Sequence, residues 1–289
     1  MRPPALYRTF TSREQIDDEY DIRRAVPDAE RHLARYVQES ARTRAELDCR
    51  LGIHYGPTLP ERLDVFPAAP EAPVLVFIHG GYWRSRSPRD FSCMARGPVA
   101  AGVTVVLVGY ALCPQVTIDE IVRQARSALA WIHEHAGELS GDRDRIHVAG
   151  HSAGGHLVGM LLATDWEPDH GVPGDAIKGA CTLSGLFDLA PFPHSFLQPA
   201  LRLTAEQVQR CSPIRHLPDD AGPLIVTYGG RESSELRRQS EDFLAAWRAR
   251  GLPAERVDQP DRNHYTAIED FLDAGSPLCR AVIRQIEGK

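Results

Sequence analysis

RIHVAGHSAGGHLVGMLLAT, residues 145–164, is the stretch that decides the fold. Its first six residues are typical of a buried strand, and its last thirteen, from Ser152, are typical of a helix. Between them GHSAG (150–154) matches G-x-S-x-G, a tight strand-to-helix turn that leaves a serine hydroxyl exposed. The pattern predicts Ser152 at the tip of this turn, with the N–H of Ala153 at a helix start that favours negative charge. The alternative is a glycine-rich turn whose serine has no chemical role.

Strands and helices alternate along most of the chain. Uncharged β-branched strands that alternate with helices predict a mostly parallel sheet with helices on both faces, an α/β fold in one continuous domain over 1–289. The predicted strands, of which the first two form an antiparallel hairpin, are 51–55, 61–66, 73–78, 103–110, 145–150, 177–185, 223–230 and 254–260. The predicted helices of this part are 89–102, 118–139, 152–164, 233–250, 265–273 and 276–287.

Two segments fall outside this alternation. The first fifty residues or so are predicted to be helical and exposed, with a charged helix over 27–48. The stretch 186–220 is rich in proline and aromatic residues, with one short helix expected at 204–210. A long excursion between two strands of a compact sheet is commonly functional, so we expect it to cover an active site.

HGGYW (79–83) follows the apolar run that ends at Ile78 and gives the chain a second glycine-rich loop. A G-x-S-x-G turn supplies one N–H group to an oxyanion, and further donors come from a loop after an earlier strand. Gly80 and Gly81 are therefore predicted to donate their N–H groups together with Ala153. His79 is expected to orient the loop by hydrogen bonds. Tyr82 and Trp83 are expected at the pocket wall, although simple packing would also explain them.

A base and an acid should follow Ser152 in that fold, with the acid first. Of the later histidines, only His264 comes after the last strand and before a helix, so it is the predicted base; His156 is expected to pack locally. Glu232 lies nearest the end of the strand 223–230 and is the predicted acid. Four other carboxylates remain alternatives for the acid, namely Asp188, Glu235, Asp258 and Asp261. In that case Glu232 is a plain surface residue at a helix start.

Composition excludes several other classes. The net charge of -6 provides no basic surface for nucleic acid. No apolar run approaches the roughly 18 residues of a membrane span, and no secretory signal is visible. The six cysteines never form a C-x-x-C pair, which indicates reduced thiols in the cytoplasm. His133 and His135 point to different sides of a helix, so no metal site is expected, and no nucleotide-binding loop or other cofactor motif occurs.

Several of these motifs together resemble one known family. HGGYW, GHSAGGH (150–156), SGLFDL (184–189), RESSELRRQS (231–240) and the Asn263-His264 pair resemble the arylformamidase (kynurenine formamidase) family of α/β-hydrolases, and YGP and RLDVF near the start of the sheet extend the likeness over most of the chain. HGG and G-x-S-x-G alone are shared with the wider carboxylesterases of the hormone-sensitive-lipase type. The resemblance implies an α/β-hydrolase fold and a catalytic triad of Ser152, Glu232 and His264. One departure is that animal kynurenine formamidases have aspartate at the acid position.

The resemblance implies a serine hydrolase that cleaves an N-formyl aryl amide through an acyl-enzyme, without cofactor or metal. Tyr82, Trp83 and Phe187 are the expected substrate-binding residues, with Tyr20, Phe192 and Phe196 as further possibilities. A carboxylesterase for small or aryl esters would need the same machinery, because serine and two glycines do not encode a leaving group. A ligand-binding protein on a hydrolase scaffold is a third alternative. The expected partner is a small-molecule substrate, and the oligomeric state is not readable.

Overall fold

The computed structural model describes residues 4–289, and one mixed sheet dominates this part of the chain. Its strands fall where the sequence patterns predict them, within a few residues. In residues 4–289 the sheet has eight strands: β1 (Arg50–His54), β2 (Arg62–Phe66), β3 (Ala72–Ile78), β4 (Thr104–Val108), β5 (Gly141–His151), β6 (Ile177–Leu183), β7 (Leu224–Gly229) and β8 (Ala254–Gln259).

The strand order is β1-β2-β4-β3-β5-β6-β7-β8. β2 pairs antiparallel with both β1 and β4, and every other neighbouring pair is parallel. The prediction of a mostly parallel sheet that starts with an antiparallel hairpin is confirmed. Because parallel strands end at the same edge, the ends of β3, β5, β6 and β7 lie side by side there.

Residue composition explains which strands are central. β3 (APVLVFI) and β4 (TVVLV) consist almost entirely of apolar residues, and nearly all of them are buried. Strands covered by helices on both faces read as continuous apolar runs. Most residues of β1 (RLGIH) and β8 (AERVDQ) are exposed or half-buried instead, which fits the positions of these strands at the two edges of the sheet.

Helices cover the sheet and the segments before it. The α-helices of residues 4–289 are α1 (Arg13–Tyr20), α2 (Ile22–Ala25), α3 (Ala29–Glu46), α4 (Arg96–Ala100), α5 (Ile118–His135), α6 (Ala153–Leu162), α7 (Trp166–His170), α8 (Gln198–Leu201), α9 (Ala205–Arg210), α10 (Ser234–Ala249) and α11 (Pro277–Ile286). The predicted helix 265–273 is instead a 3₁₀ segment, Thr266–Leu272, and 89–102 is a 3₁₀ segment, Pro88–Ala95, followed by α4. None of the helices within 4–289 combines the length and apolarity that a membrane span requires.

The segment before the sheet is helical, as expected, but it is not an exposed appendage. α1 starts at a capping box of Ser12 and Gln15, and Tyr20 at its end is completely buried. Ser40 of α3 donates its hydroxyl to the carbonyl of Asp90, and the hydroxyl of Tyr36 donates to the carbonyl of Tyr265. The prediction of an exposed segment is wrong because aromatic residues on α1 and α3 bury apolar surface against distant parts of the chain.

The excursion between β6 and β7 is more ordered than its sequence suggests. The predicted short helix is confirmed as α9, and the segment also contains α8 and the 3₁₀ turns Phe192–His194 and Pro213–Arg215. Phe187, Phe192 and Leu197 are completely buried, so much of the excursion packs into the core.

A substitution of Gly154 would test the close contact between α6 and the end of β3. A Cβ atom at this position would overlap the carbonyl oxygen of Ile78, whereas a Cβ at Gly174 meets nothing within 4 Å. Gly154→Ala should therefore destabilise the protein by about 3 kcal/mol, the upper range for overpacking, and Gly174→Ala should not. Chemical denaturation of both variants measures the difference, and equal stability of the two would contradict the close packing of α6.

Candidate active site

Ser152 sits at the turn between β5 and α6 in a conformation that side chains rarely adopt. Its φ is 57° and its ψ is -118°. Gly150 and Gly154 flank it, and a Cβ on Gly150 would overlap the carbonyl of Gly154. The N–H of Ser152 donates to the carbonyl of Leu183 at 2.8 Å, which ties the turn to the end of β6. Strained residues of this kind persist only where the surroundings hold them, and they concentrate at active sites.

The loop after β3 lies against this turn. Gly80 approaches so closely that a Cβ would be 2.9 Å from the carbonyl oxygen of His151 and 3.0 Å from Cβ of Ser152. Gly81 has a φ of 119°, and a Cβ there would overlap the carbonyl of Ser85. Both glycines are therefore required by the backbone path, and together they bring the loop to the serine.

Three main-chain N–H groups border the serine. In the part of the chain that the structure describes, the N–H groups of Gly80, Gly81 and Ala153 donate to no acceptor of the protein. Ala153 is also the first residue of α6, where the helix dipole favours a negative charge. Buried donors without a partner are rare, and here they can serve a negatively charged oxygen.

His264 and Glu232 form a buried pair beside Ser152. Nδ1 of His264 lies 2.9 Å from Oε2 of Glu232, and the carboxylate is completely buried. Oε1 of Glu232 accepts the hydroxyl of Ser184 at 2.5 Å and the N–H of Gly229 at 2.6 Å. The carboxylate is therefore held by groups from the ends of β6 and β7, while its other oxygen orients the imidazole.

The other carboxylates considered from the sequence are engaged elsewhere. Asp258 and Asp261 have side chains that are 69% and 85% exposed, which is unsuited to orienting a buried imidazole. Their ion-pair and hydrogen-bond partners are as follows: Asp188 with Tyr7 and Arg215, Glu235 with Arg238, Asp258 with Arg256, and Asp261 with Arg231. Glu232 is thus the one of these five that the structure brings to His264.

A cavity of about 420 Å³ opens over Ser152 and His264. Gly80, Gly81 and Tyr82 from the loop after β3 also line it. The segment before the sheet supplies a wall that sequence reasoning missed: Asp21, Ile22, Arg23, Leu33 and Tyr36. Among the residues described, only Phe196 of the excursion reaches the cavity, although a larger cover was expected there.

Trp83 and Phe187, which were expected to bind substrate, do not reach this cavity. Trp83 is completely buried and donates its indole N–H to Nδ1 of His156 at 3.1 Å. Phe187 stacks on Phe243 with ring centroids 3.9 Å apart. Both side chains pack in the interior because large aromatic residues bury well wherever space exists. Of the aromatic residues considered for the pocket, Tyr82 and Phe196 line the cavity. Tyr20 and Phe192 are completely buried and do not line it.

Three buried histidines surround the turn and are uncharged. His79 donates from Nδ1 to the carbonyl of Gly80, and His151 donates from Nε2 to the carbonyl of His264. His156 accepts from Trp83 and donates to the carbonyl of Cys211. Burial lowers the pKa of His79 and of His156 to about 4, and it holds the pKa of His151 well below its usual range. The expectations that His79 orients its loop and that His156 packs locally match these contacts.

The described part of the chain has no cluster of side chains typical of a metal site. Residues 4–289 contain no group of three or more His, Cys, Asp or Glu side chains suited to a metal ion. His135 stacks on Trp131 and bonds to its carbonyl, so the two histidines near the end of α5 do not converge. All six cysteines are free thiols.

The sheet order and the strand-to-helix turn with its serine define an α/β-hydrolase. A family model described as BD-FAE matches residues 63–247. The kynurenine formamidase of Danio rerio is 30% identical over 88% of this chain and 88% of its own length. Esterase LipQ of Mycobacterium tuberculosis is 30% identical over 73% of this chain and 56% of its own length. A solved structure from Silicibacter sp. TM1040, described provisionally as a thioesterase, has a TM-score of 0.82 at 30% identity over 93% of this chain and 98% of its own.

The chain belongs to the BD-FAE family and, among α/β-hydrolases, to the arylformamidase-like group that the sequence motifs indicated. It is an enzyme, a hydrolase.

The buried histidines predict a pH dependence of stability. His79, His147 and His156 each have a pKa of about 4 in the folded chain because burial disfavours the charged ring. The unfolded chain, with pKa near 6.5, then binds more protons, so the free energy of unfolding is highest above pH 6.5 and falls between pH 6.5 and 4. Each histidine contributes roughly 3 kcal/mol to this fall.

The substitution His147→Gln tests this pH dependence at a site away from the cavity. The same change at the exposed His54 is the control. Between pH 7 and pH 4.5, the free energy of unfolding measured by chemical denaturation should fall less for His147→Gln than for the control. A fall of the same size in both would contradict the assignment of a buried neutral His147.

The hydrogen bond from Ser184 to Glu232 predicts that a substitution of Ser184 lowers activity. Ser184→Ala removes one donor to the carboxylate, and hydrogen bonds to charged groups contribute about 1.5–3 kcal/mol, so kcat should fall at least about 10-fold while KM stays constant. Ser195 is an equally buried serine whose hydroxyl donates to a carbonyl, and Ser195→Ala is the matched control. Equal effects of the two variants on kcat would show that Ser184 does not position Glu232.

Proposed function

We propose that this chain is a serine hydrolase that cleaves the formyl group from an N-formyl aryl amide of the N-formylkynurenine type. Ser152 is the nucleophile, His264 the general base and Glu232 the residue that orients it. The observation that carries the proposal is the buried His264–Glu232 pair, at 2.9 Å, beside a strained serine on the same cavity. Gly80, Gly81 and Ala153 supply the N–H groups for the oxyanion.

The reaction follows from these positions. His264 takes the proton of the Ser152 hydroxyl as Oγ attacks the formyl carbon. Negative charge develops on the carbonyl oxygen, which the N–H groups of Gly80, Gly81 and Ala153 stabilise. The imidazolium, held by Glu232, protonates the departing arylamine. Water activated by His264 then attacks the formyl ester of Ser152 and releases formate.

The acid position accommodates glutamate through its supporting contacts. Animal relatives are expected to have aspartate here, and Glu232 has one more methylene. Its Oε1 bonds to Ser184 and to the N–H of Gly229, so the longer side chain is held while Oε2 reaches His264. Either carboxylate can hold an imidazole in the required tautomer, so the mechanism is unchanged.

Formamide cleavage is favoured by similarity to the kynurenine formamidase of Danio rerio over 88% of both chains. The second candidate is a carboxylesterase for small or aryl esters, favoured by the likeness to esterase LipQ. Both reactions use the same nucleophile and oxyanion donors, and they differ in the leaving group that the cavity must accept. A ligand-binding protein is a weaker candidate, because serine, base, acid and both glycines are all present.

The expected partner is a small-molecule substrate, and a cytoplasmic location remains a proposal. It is supported by six free cysteines, five of which are buried. Disulfide-free chains of this size fit a reducing compartment.

Comparing two substrates tests the function. Wild-type enzyme should hydrolyse N-formylkynurenine with a kcat/KM well above that for p-nitrophenyl acetate, measured with a chelator present. Ser152→Ala should lower both values at least about 1,000-fold, because a triad without its nucleophile retains only binding and oxyanion contributions.

The outcomes separate the candidates. Strong ester turnover without formamide turnover would replace the formamidase proposal by the carboxylesterase. Full activity of Ser152→Ala on both substrates would remove Ser152 from the mechanism. Ser195→Ala, which changes a buried serine of the excursion, should keep wild-type rates.

A further inference from the structure

Two arginines with no carboxylate partner border the cavity over Ser152. Arg84 and Arg86 both line it, one exposed and the other half-buried. Among residues 4–289 neither guanidinium lies within 4.0 Å of a carboxylate, whereas Arg23 on the same cavity pairs with Glu30 at 3.4 Å. Asp21 is the carboxylate of the lining, and it already accepts the N–H of Arg24. Among the described residues that line the cavity, Arg23, Arg84 and Arg86 are basic and Asp21 is acidic, so the lining carries a net positive charge.

The backbone holds both arginines in place. The N–H groups of Arg84 and Ser85 converge on the carbonyl of Gly81, at 3.1 Å each, and the Ser85 hydroxyl adds a third bond at 3.0 Å. Arg86 follows with a φ of 80°, a conformation that residues other than glycine rarely adopt. Cγ of Arg86 lies 3.0 Å from where a Cβ on Gly81 would be. The turn thus sets Arg86 directly beside an oxyanion glycine.

Arg84 lies next to an aromatic side chain of the same cavity. Its guanidinium carbon is 5.5 Å from the ring centroid of Phe196, which also lines the cavity. A guanidinium that lies above an aromatic ring can still donate its N–H groups to another ligand. Two of these N–H groups, side by side, match the two oxygens of a carboxylate. An aryl substrate that packs near Phe196 would bring a carboxylate on its side chain within reach of this group.

We propose that Arg84 and Arg86 form a carboxylate subsite at the cavity, which selects aryl substrates with an anionic group on the leaving side. The subsite deepens the proposed formamidase function and rests on it for the class of leaving group. Neutral aryl amides and esters lack the charge-assisted hydrogen bonds that the two guanidinium groups offer, and they are the poorer substrates.

The test compares substrates that differ only in this charge. N-formylkynurenine and its α-carboxamide form the formamide pair, and 4-acetoxybenzoate and 4-acetoxybenzamide form the ester pair. Wild-type kcat/KM should favour the carboxylate about 10-fold, mainly through KM, because a charged hydrogen bond in a partly exposed site contributes about that factor. Added salt should reduce the preference.

The double variant Arg84→Gln/Arg86→Gln should bring the ratio close to 1, because kcat/KM falls much further for the carboxylate substrate than for the neutral one. Arg280→Gln, on an exposed arginine of α11, is the matched control and should keep the wild-type ratio. A wild-type ratio near 1, or an equal loss on charged and neutral substrates in the double variant, would overturn the subsite. If no formamide is cleaved, the formamidase function fails by itself, and the ester pair still decides the subsite by the same ratio.

Discussion

The close approach of α6 to the end of β3 is the constraint on which the rest of the site depends. Gly154 has no Cβ, and a side chain there would collide with the carbonyls of Ile78 and His79. This contact joins the turn that carries Ser152 to the loop that carries Gly80 and Gly81. Ser152 and the N–H groups that we propose to bind the oxyanion therefore come from two strand ends, which the absence of a side chain at Gly154 allows to approach each other.

The second half of the site is assembled across the sheet rather than along the chain. Glu232 follows β7, its supporting Ser184 follows β6, and His264 follows β8. Parallel strands deliver these residues to one edge, and buried hydrogen bonds then set the orientation of the imidazole. The neutral histidines around the turn add no positive charge of their own, so the cationic groups at the cavity are arginines.

Much of this could be predicted from the sequence, because its signals are local. Each of these features can be recognised within a few residues of the chain: the G-x-S-x-G and HGG motifs, the apolar strands and the position of His264. Tyr36, Asp21 and Arg23 gave no such signal, since they meet the cavity only through contacts with residues far away in sequence. Trp83 and Phe187 were misplaced for the same reason: an aromatic residue near a strand end can face the pocket or the core, and its partners, His156 and Phe243, decide which.

The central claim is that Ser152, activated by His264 and Glu232, forms a covalent acyl-enzyme. Its most direct test is intact-protein mass spectrometry after treatment with a fluorophosphonate, followed by peptide mapping. The account predicts one phosphonyl adduct per chain, located on Ser152, and a strongly slowed reaction when His264 is replaced by glutamine. No adduct on the wild-type chain, or an adduct on another residue, would contradict it.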